Sequence, residues 1–268
     1  MTRIRMRLVA RGATVAVLCC ALTAALITNR AAADEVQSPV PSDDWSFNIT
    51  PYVWAASLHG SIAPLPRLPA VDVDASFEDI FENLDIAGMV YAEARYQRFA
   101  GYTDLIYTSV SADADTPFGI LFEDGEAKNE IFIGTFGGSY RAIETEHASL
   151  DLLAGARVWS VDTEVKLRGG LLPNQKFEED ESWVDPVVGL HGIYHFDNGI
   201  FITSFSHVGG FGVGSHLTWD TFGALGYQFN DSISAIAGYR HLEVDYENNG
   251  FVFDVELSGP VIGMRIRF

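Results

Sequence analysis

Gly259 to Phe268 reads GPVIGMRIRF, and the reading of this stretch decides the fold. Successive side chains of an extended chain point to opposite sides. Ile262, Met264, Ile266 and Phe268 therefore share one face, while Gly263, Arg265 and Arg267 share the other. The same division recurs upstream. Val90, Ala92, Ala94 and Tyr96 oppose Tyr91, Glu93, Arg95 and Gln97, and Leu150, Leu152, Ala154, Ala156 and Val158 oppose Asp151, Gly155 and Arg157. A strand with arginines on one side and an unbroken apolar row on the other suits a wall between lipid and a polar lumen.

Working outward, alternation with period two continues from Trp45 to the end of the chain, in segments rich in aromatic and β-branched residues and separated by turn residues. The pattern predicts ten strands: Trp45 to Leu58, Ile86 to Arg98, Gly101 to Ser111, Ala127 to Ile143, Ala148 to Val165, Trp183 to Phe196, Ile200 to Val208, Ser215 to Phe229, Ser232 to Tyr246 and Phe251 to Phe268. An even number places both ends on one side. The turns on that side are short: Phe99-Ala100, Glu144 to His147, Asp197-Asn198-Gly199 and Asn230-Asp231. On the other side, Gly60 to Asp85, Ala112 to Glu126 and Lys166 to Ser182 are long and acidic, the last containing Glu178-Glu179-Asp180-Glu181, while Gly209 to Gly214 and Glu247 to Gly250 are short.

This is the asymmetry of outer-membrane barrels, which have short periplasmic turns and longer outer loops. A sheet in hydrocarbon must also close, because unpaired backbone groups find no water there. The expected fold is all-β: a closed antiparallel transmembrane β-barrel of about ten strands, with eight or twelve as alternatives. A soluble periplasmic binding barrel shares the period and stays open as another reading. Trp45, Tyr107, Tyr140, Trp183, Tyr194, Trp219, Tyr227 and Phe229 fall near strand ends, where an aromatic membrane-interface girdle would place them.

The first residues read as an export signal. Arg3, Arg5, Arg7 and Arg11 precede an apolar run from Ala13 to Ile27 and the small residues Ala31 to Ala33. The run falls short of the roughly twenty residues that a spanning helix needs. The expected organisation is a signal peptide over 1–33, a flexible periplasmic lead-in over 34–44 and the barrel over 45–268. Both cysteines, Cys19 and Cys20, would leave with the signal, and with them disulfides and thiolate chemistry. Cleavage leaves 12 basic against 36 acidic residues, a net charge of about −24. Such a chain repels phosphate backbones, so no nucleic-acid partner is expected.

Several stretches together resemble an uncharacterised proteobacterial family of outer-membrane β-barrel proteins: Pro51-Tyr52-Val53-Trp54, Val71 to Asp85, Asp104-Leu105-Ile106-Tyr107, Gly209 to Trp219, Gly238-Tyr239-Arg240 and Gly259 to Phe268. The resemblance spans nearly the whole mature chain. It implies a bacterial outer-membrane location and a barrel architecture, but carries no activity and no catalytic residue. It also implies that the strand ending in Phe268 is the signal read by the barrel-assembly machinery during biogenesis. In that location the surroundings would be outer-membrane lipid and lipopolysaccharide.

The lumen-facing charges form the candidate site: Glu93, Asp104, Asp151 and Asp185 beside Arg95, Arg157, Arg240 and Arg265. Four of each sign suit pairing across a small interior, where an unpaired ion is costly. They form either a structural polar core or a narrow, charge-selective path for small solutes. Ten strands give a bore that side chains can largely fill, which disfavours general diffusion. No catalytic residue, cofactor or metal is assigned. An outer-membrane hydrolase is the enzymatic alternative, with Ser206, His207, Ser215, His216 and Asp220 as the candidates. Ser206 cannot simply serve His207, since neighbours in a strand face opposite ways. Gly209 to Gly214 reads as a hairpin loop, since a phosphate loop needs a following helix. Val71 to Asp85 would plug the lumen or cap the rim. Its acids Asp72, Asp74, Glu78, Asp79, Glu82 and Asp85 are of the type that binds calcium or magnesium, but they lack an EF-hand spacing and read more simply as a solvated face.

Overall fold

The computed structural model describes residues 44–63, 70–113, 124–168 and 174–268. The expected signal peptide and nearly all of the lead-in lie outside the described residues. The strands, in chain order, are β1 (Trp45–Trp54), β2 (Ser57–Ala63), β3 (Val71–Ala75), β4 (Leu84–Tyr96), β5 (Phe99–Asp113), β6 (Asp124–Glu144), β7 (Ala148–Arg168), β8 (Gln175–His195), β9 (Ile200–Gly209), β10 (Leu217–Gln228), β11 (Ile233–Asn248) and β12 (Phe251–Arg267). A six-residue helix, α1 (Phe77–Glu82), lies between β3 and β4.

Sequential antiparallel pairing runs from β4 to β12, and β1 joins β4 to β12 and closes the ring. β1 and β2 are two halves of one stave, since both pair with β12. The strand expected over Trp45 to Leu58 is thus broken at Ala55-Ala56. Opposite the break stands Gly259, where a side chain would collide with the Ala55 carbonyl. β3 pairs only with β2 and lies outside the ring. The result is a closed ten-stranded antiparallel transmembrane barrel.

The turns follow from their residues. Asn249-Gly250 joins β11 to β12 with both residues at positive φ (50° and 93°), the conformation of a two-residue hairpin turn. At the other end, the Asn230 side chain accepts hydrogen bonds from the Ser232 and Ile233 amides and tightens the β10–β11 turn.

The outer surface carries the lipid belt. Val53, Leu225 and Ile262 are each more than 60% exposed, a loss in water that a hydrocarbon surrounding removes. At the short-turn end an aromatic ring of residues borders the belt, with Trp45 against Tyr96, Phe99 against Tyr140, Tyr194 against Phe196 and Tyr227 against Phe229. Trp183 does not belong to this girdle. It is buried in the lumen, because it shares a face with Asp185 two residues on.

β6, β7 and β8 are 21 residues long, whereas a membrane crossing takes roughly 9–11. Their far halves therefore stand clear of the bilayer, and there the outward polarity changes. On β7 the outer row passes from Leu150 through Val158 to Ser160, Asp162 and Glu164, and its partner row on β8 passes from Val184 to Ser182 and Asp180. This corrects the expected loop boundaries. The Glu178 to Glu181 run lies within β8, where water reaches the outer acids and Lys176 bridges Glu178 and Glu164. Inward, Glu181 accepts hydrogen bonds from Tyr246 Oη (2.5 Å) and Asn248 Nδ2 (2.9 Å).

The described part of the connection between β2 and β4, Val71–Glu82, does not enter the lumen. None of the α1 residues is buried, and the helix packs mainly against β2 and β3. Ser76 caps it: its hydroxyl accepts from the Asp79 amide (3.2 Å), and the Asp79 carboxylate accepts from the Ser76 amide (2.9 Å). The Ser76 hydroxyl and amide bonds hold the Asp79 carboxyl below the usual aspartate range.

Candidate functional site

The inner wall changes character along the barrel axis. Nearest the short turns lies a polar vestibule, at mid-height a layer of buried ion pairs, and above that an apolar core.

The mid-height layer joins six strands. Arg240 on β11 donates to Asp220 on β10 through Nε (3.0 Å) and Nη2 (2.8 Å), to Asp104 on β5 (2.7 Å) and to the Tyr52 hydroxyl on β1 (2.9 Å). Tyr52 in turn donates to Asp104 (2.7 Å). Arg157 on β7 donates to Asp220 (2.6 Å) and through Nε to the Thr135 hydroxyl on β6 (3.0 Å). Two arginines meet two aspartates, and both Arg157 and Asp220 are within 1% of complete burial. Such a cluster persists only because each charge is paired and hydrogen-bonded. The Arg240 guanidinium also lies over the Trp54 and Phe205 rings at 5.1 and 5.3 Å.

Above this layer the bore is packed with side chains. β7 and β12 stand opposite one another in the ring, yet Trp159 and Phe253 meet with ring centroids 6.4 Å apart. Trp183 stacks on Tyr246 at 3.8 Å and on Trp159 at 5.5 Å. Ile133, Val161, Leu242, Val244 and Val255 complete the cluster, and Trp159 and Phe253 are wholly buried. Asp185 serves this core. It accepts from Trp159 Nε1 (3.0 Å) and from the amide and hydroxyl of Ser215 (2.6 and 2.7 Å), pinning the β9–β10 loop over the aromatic stack.

Below the mid-height layer, Arg95 pairs with Asp151 (2.6 Å) and Glu93 (3.2 Å), and Arg141 with Asp151 (2.8 Å) and Glu144 (3.0 Å). Ligand-type atoms of Glu93, Asp151 and His191 lie within 4.8 Å of one another. Two guanidinium groups already occupy those carboxylates, so the donor set does not fit a metal ion.

All eight charged residues read from the sequence line the interior, in separate groups. Asp104, Arg157 and Arg240 meet at mid-height, and Glu93, Arg95 and Asp151 meet below. Asp185 bonds to neutral donors, and Arg265 lies over the Phe201 ring at 5.2 Å. The residues that join the groups, Asp220, Arg141 and Tyr52, were not in that set. The parity of β10 is the signal that finds Asp220, since it opposes His207 across the ladder.

The hydrolase candidates do not assemble. Ser206 lies on the outer face and His207 on the inner one, where Nε2 is 3.2 Å from the Tyr102 hydroxyl. Ser215 is fully buried on Asp185, and the exposed His216 faces Asp245 at 3.4 Å.

No protein-family model matches this sequence, and no curated relative matches it. Among solved structures, the chain is similar to the outer membrane protease OmpT from Escherichia coli. The two share 10% identity over 87% of this chain and 99% of that one, with a TM-score of 0.51. It also matches the translocator domain of the autotransporter NalP from Neisseria meningitidis (13% identity, 93% and 98% coverage, TM-score 0.38). A third match is Ail, the attachment invasion locus protein of Yersinia pestis (11%, 85% and 100%, 0.37). At these identities the likeness is one of fold. It agrees with the barrel architecture implied by the sequence resemblance and assigns no family.

Proposed function

We propose that this chain is an integral β-barrel of the bacterial outer membrane whose own side chains seal the lumen, so that its role is structural and not one of general diffusion. The observation that supports this most is the contact between Trp159 and Phe253 across the full width of the ring, directly above the Arg157–Asp220–Arg240–Asp104 layer. A solute crossing the barrel would have to break buried ion pairs and displace wholly buried aromatic rings. The apolar belt and the short-turn girdle support membrane embedding over a soluble periplasmic barrel. The short turns then face the periplasm and the tall β6–β8 wall faces outward, towards lipopolysaccharide. Phe268, exposed at the end of the closing strand, suits recognition by the barrel-assembly machinery.

Cell fractionation combined with a liposome efflux assay tests the proposal. The protein should stay with the membrane fraction after osmotic shock and need detergent for release, and liposomes that contain it should retain a trapped small sugar. Release by osmotic shock alone would contradict the location, and rapid sugar loss would contradict the seal.

A further inference from the structure

The vestibule below the ion-pair layer encloses a cavity of about 260 Å³, and it reaches the short-turn mouth at Asn230 and Asp231. In a chain of formal net charge −19, this cavity is lined by five arginines against three acids. The networks above account for Arg95, Arg141 and Arg240. Arg265 and Arg267 remain, and among the described residues neither has a carboxylate within ion-pair distance. The Arg265 guanidinium carbon lies 5.2 Å from the centre of the Phe201 ring, so its charge stands at the edge of an apolar floor built from Phe201, Phe205, Ile236 and Val261.

Two buried polar atoms of lining residues are also unsatisfied: Nη1 of Arg95, a residue 8% exposed, and Nδ1 of His207, 6% exposed. The Arg95 Nη1 group is a charged donor, and a buried charged donor without a partner is destabilising, which selects for something that supplies the missing acceptor. A part-buried Arg265 without a counter-ion, an exposed Arg267 nearer the mouth, an unfilled guanidinium nitrogen and an aromatic floor line one cavity and share a complement.

We propose that the cavity is a binding site for a small organic monocarboxylate with an apolar body, its carboxylate held by Arg265 with support from Arg95 and Arg267, and its body against Phe201 and Phe205. A guanidinium takes a carboxylate in a two-pronged grip. The aromatic floor removes the apolar part from water. On the proposed orientation the ligand enters from the periplasm and goes no further, since the ion-pair layer lies above it.

Isothermal titration of the full mature chain, purified in a nonionic detergent, tests this with trans-cinnamate, its neutral amide and inorganic phosphate as probes. Cinnamate should bind saturably at one per chain, and the amide at least tenfold more weakly. Phosphate, which has the charge but no apolar body, should also be at least tenfold weaker. Arg265→Gln should weaken cinnamate at least tenfold while keeping the barrel's heat-modifiable gel mobility, and Arg267→Gln should weaken it less. Absence of saturable cinnamate binding, equal affinity for the amide, or undiminished affinity in a folded Arg265→Gln overturns the site. Phosphate binding as tightly as cinnamate overturns the apolar half of the assignment. If Arg265→Gln does not fold, the acid-against-amide comparison on the unaltered chain still decides the matter. Since the proposed seal lies above the cavity, a leaky barrel that binds cinnamate would sink the seal and leave this site standing.

Discussion

Replacing Asp220 with asparagine keeps its shape and removes one charge from the centre of the barrel. Asp220 is fully buried and accepts three hydrogen bonds from two guanidinium groups, at 2.6 Å from Arg157 and at 2.8 and 3.0 Å from Arg240. Arg240 keeps Asp104 at 2.7 Å, but Arg157 keeps only the hydroxyls of Thr135 and Thr218. Arg157 then becomes a buried cation without a counter-ion, a situation that costs about 3–5 kcal/mol. Asp104→Asn leaves Arg240 still paired with Asp220 and should cost less, about 1.5–3 kcal/mol for a lost bond to a charged group. The assay is guanidinium-induced unfolding from lipid vesicles, followed by tryptophan fluorescence with gel mobility as a check. The midpoint should move while the slope stays constant. An exposed control on the outer wall, Asp162→Asn, should stay within about 0.5 kcal/mol of the unaltered chain. If Asp220→Asn also falls within about 1 kcal/mol, water reaches this layer and the ion pairs do not seal the barrel.

Other substitutions probe separate layers of the account. Ala154→Arg, in the middle of the outer apolar row of β7, should cost about 2–4 kcal/mol in the same assay, while Asp162→Arg, four turns of the alternation further along that face and clear of the belt, should cost about 0–1 kcal/mol. Equal costs would mean that the belt has been misplaced. Trp183→Ala removes the ring stacked on Tyr246 and the indole bond to Ser215 (2.8 Å), and should cost about 3–5 kcal/mol in thermal unfolding. A negligible change would contradict a packed upper core. Asp79 in α1 has its folded-state pKa depressed by the Ser76 bonds, so its contribution is present above the ordinary aspartate range and is lost as pH falls through the lowered value. NMR of the chain in micelles should show the Ile80 amide, bonded to the Ser76 carbonyl, losing its folded shift only below that range. Ser76→Ala should move the Asp79 titration upward, and an unmoved titration would remove the cap as its cause.

The closing strand was readable because lipid and lumen impose opposite demands on alternate residues. Ile262 and Met264 point out, while Arg265 points in. Parity gives the face but not the height, and this is where the reading from sequence and the structure part. Trp183 shares parity with Asp185, which places both inside, yet its position near an expected strand end suggested a girdle. Glu178 to Glu181 looked like loop because the expectation of an apolar outer face holds only within the bilayer, and β8 continues beyond it. The partner choices across the lumen were not legible at all. Arg157 stands beside Asp185 in register but turns to Asp220 three strands away, because Asp185 is already engaged by Trp159 and Ser215. Such choices depend on the barrel's diameter and stagger, which no single strand records.

Planar-bilayer recording of the protein purified from membranes tests the sealed lumen most directly. The unaltered chain should leave the membrane silent at moderate voltages of either sign. Current steps should appear in Trp159→Ala/Phe253→Ala/Arg157→Ala, where both closing layers are cut back. Regular, long-lived steps from the unaltered chain at low voltage would contradict the seal.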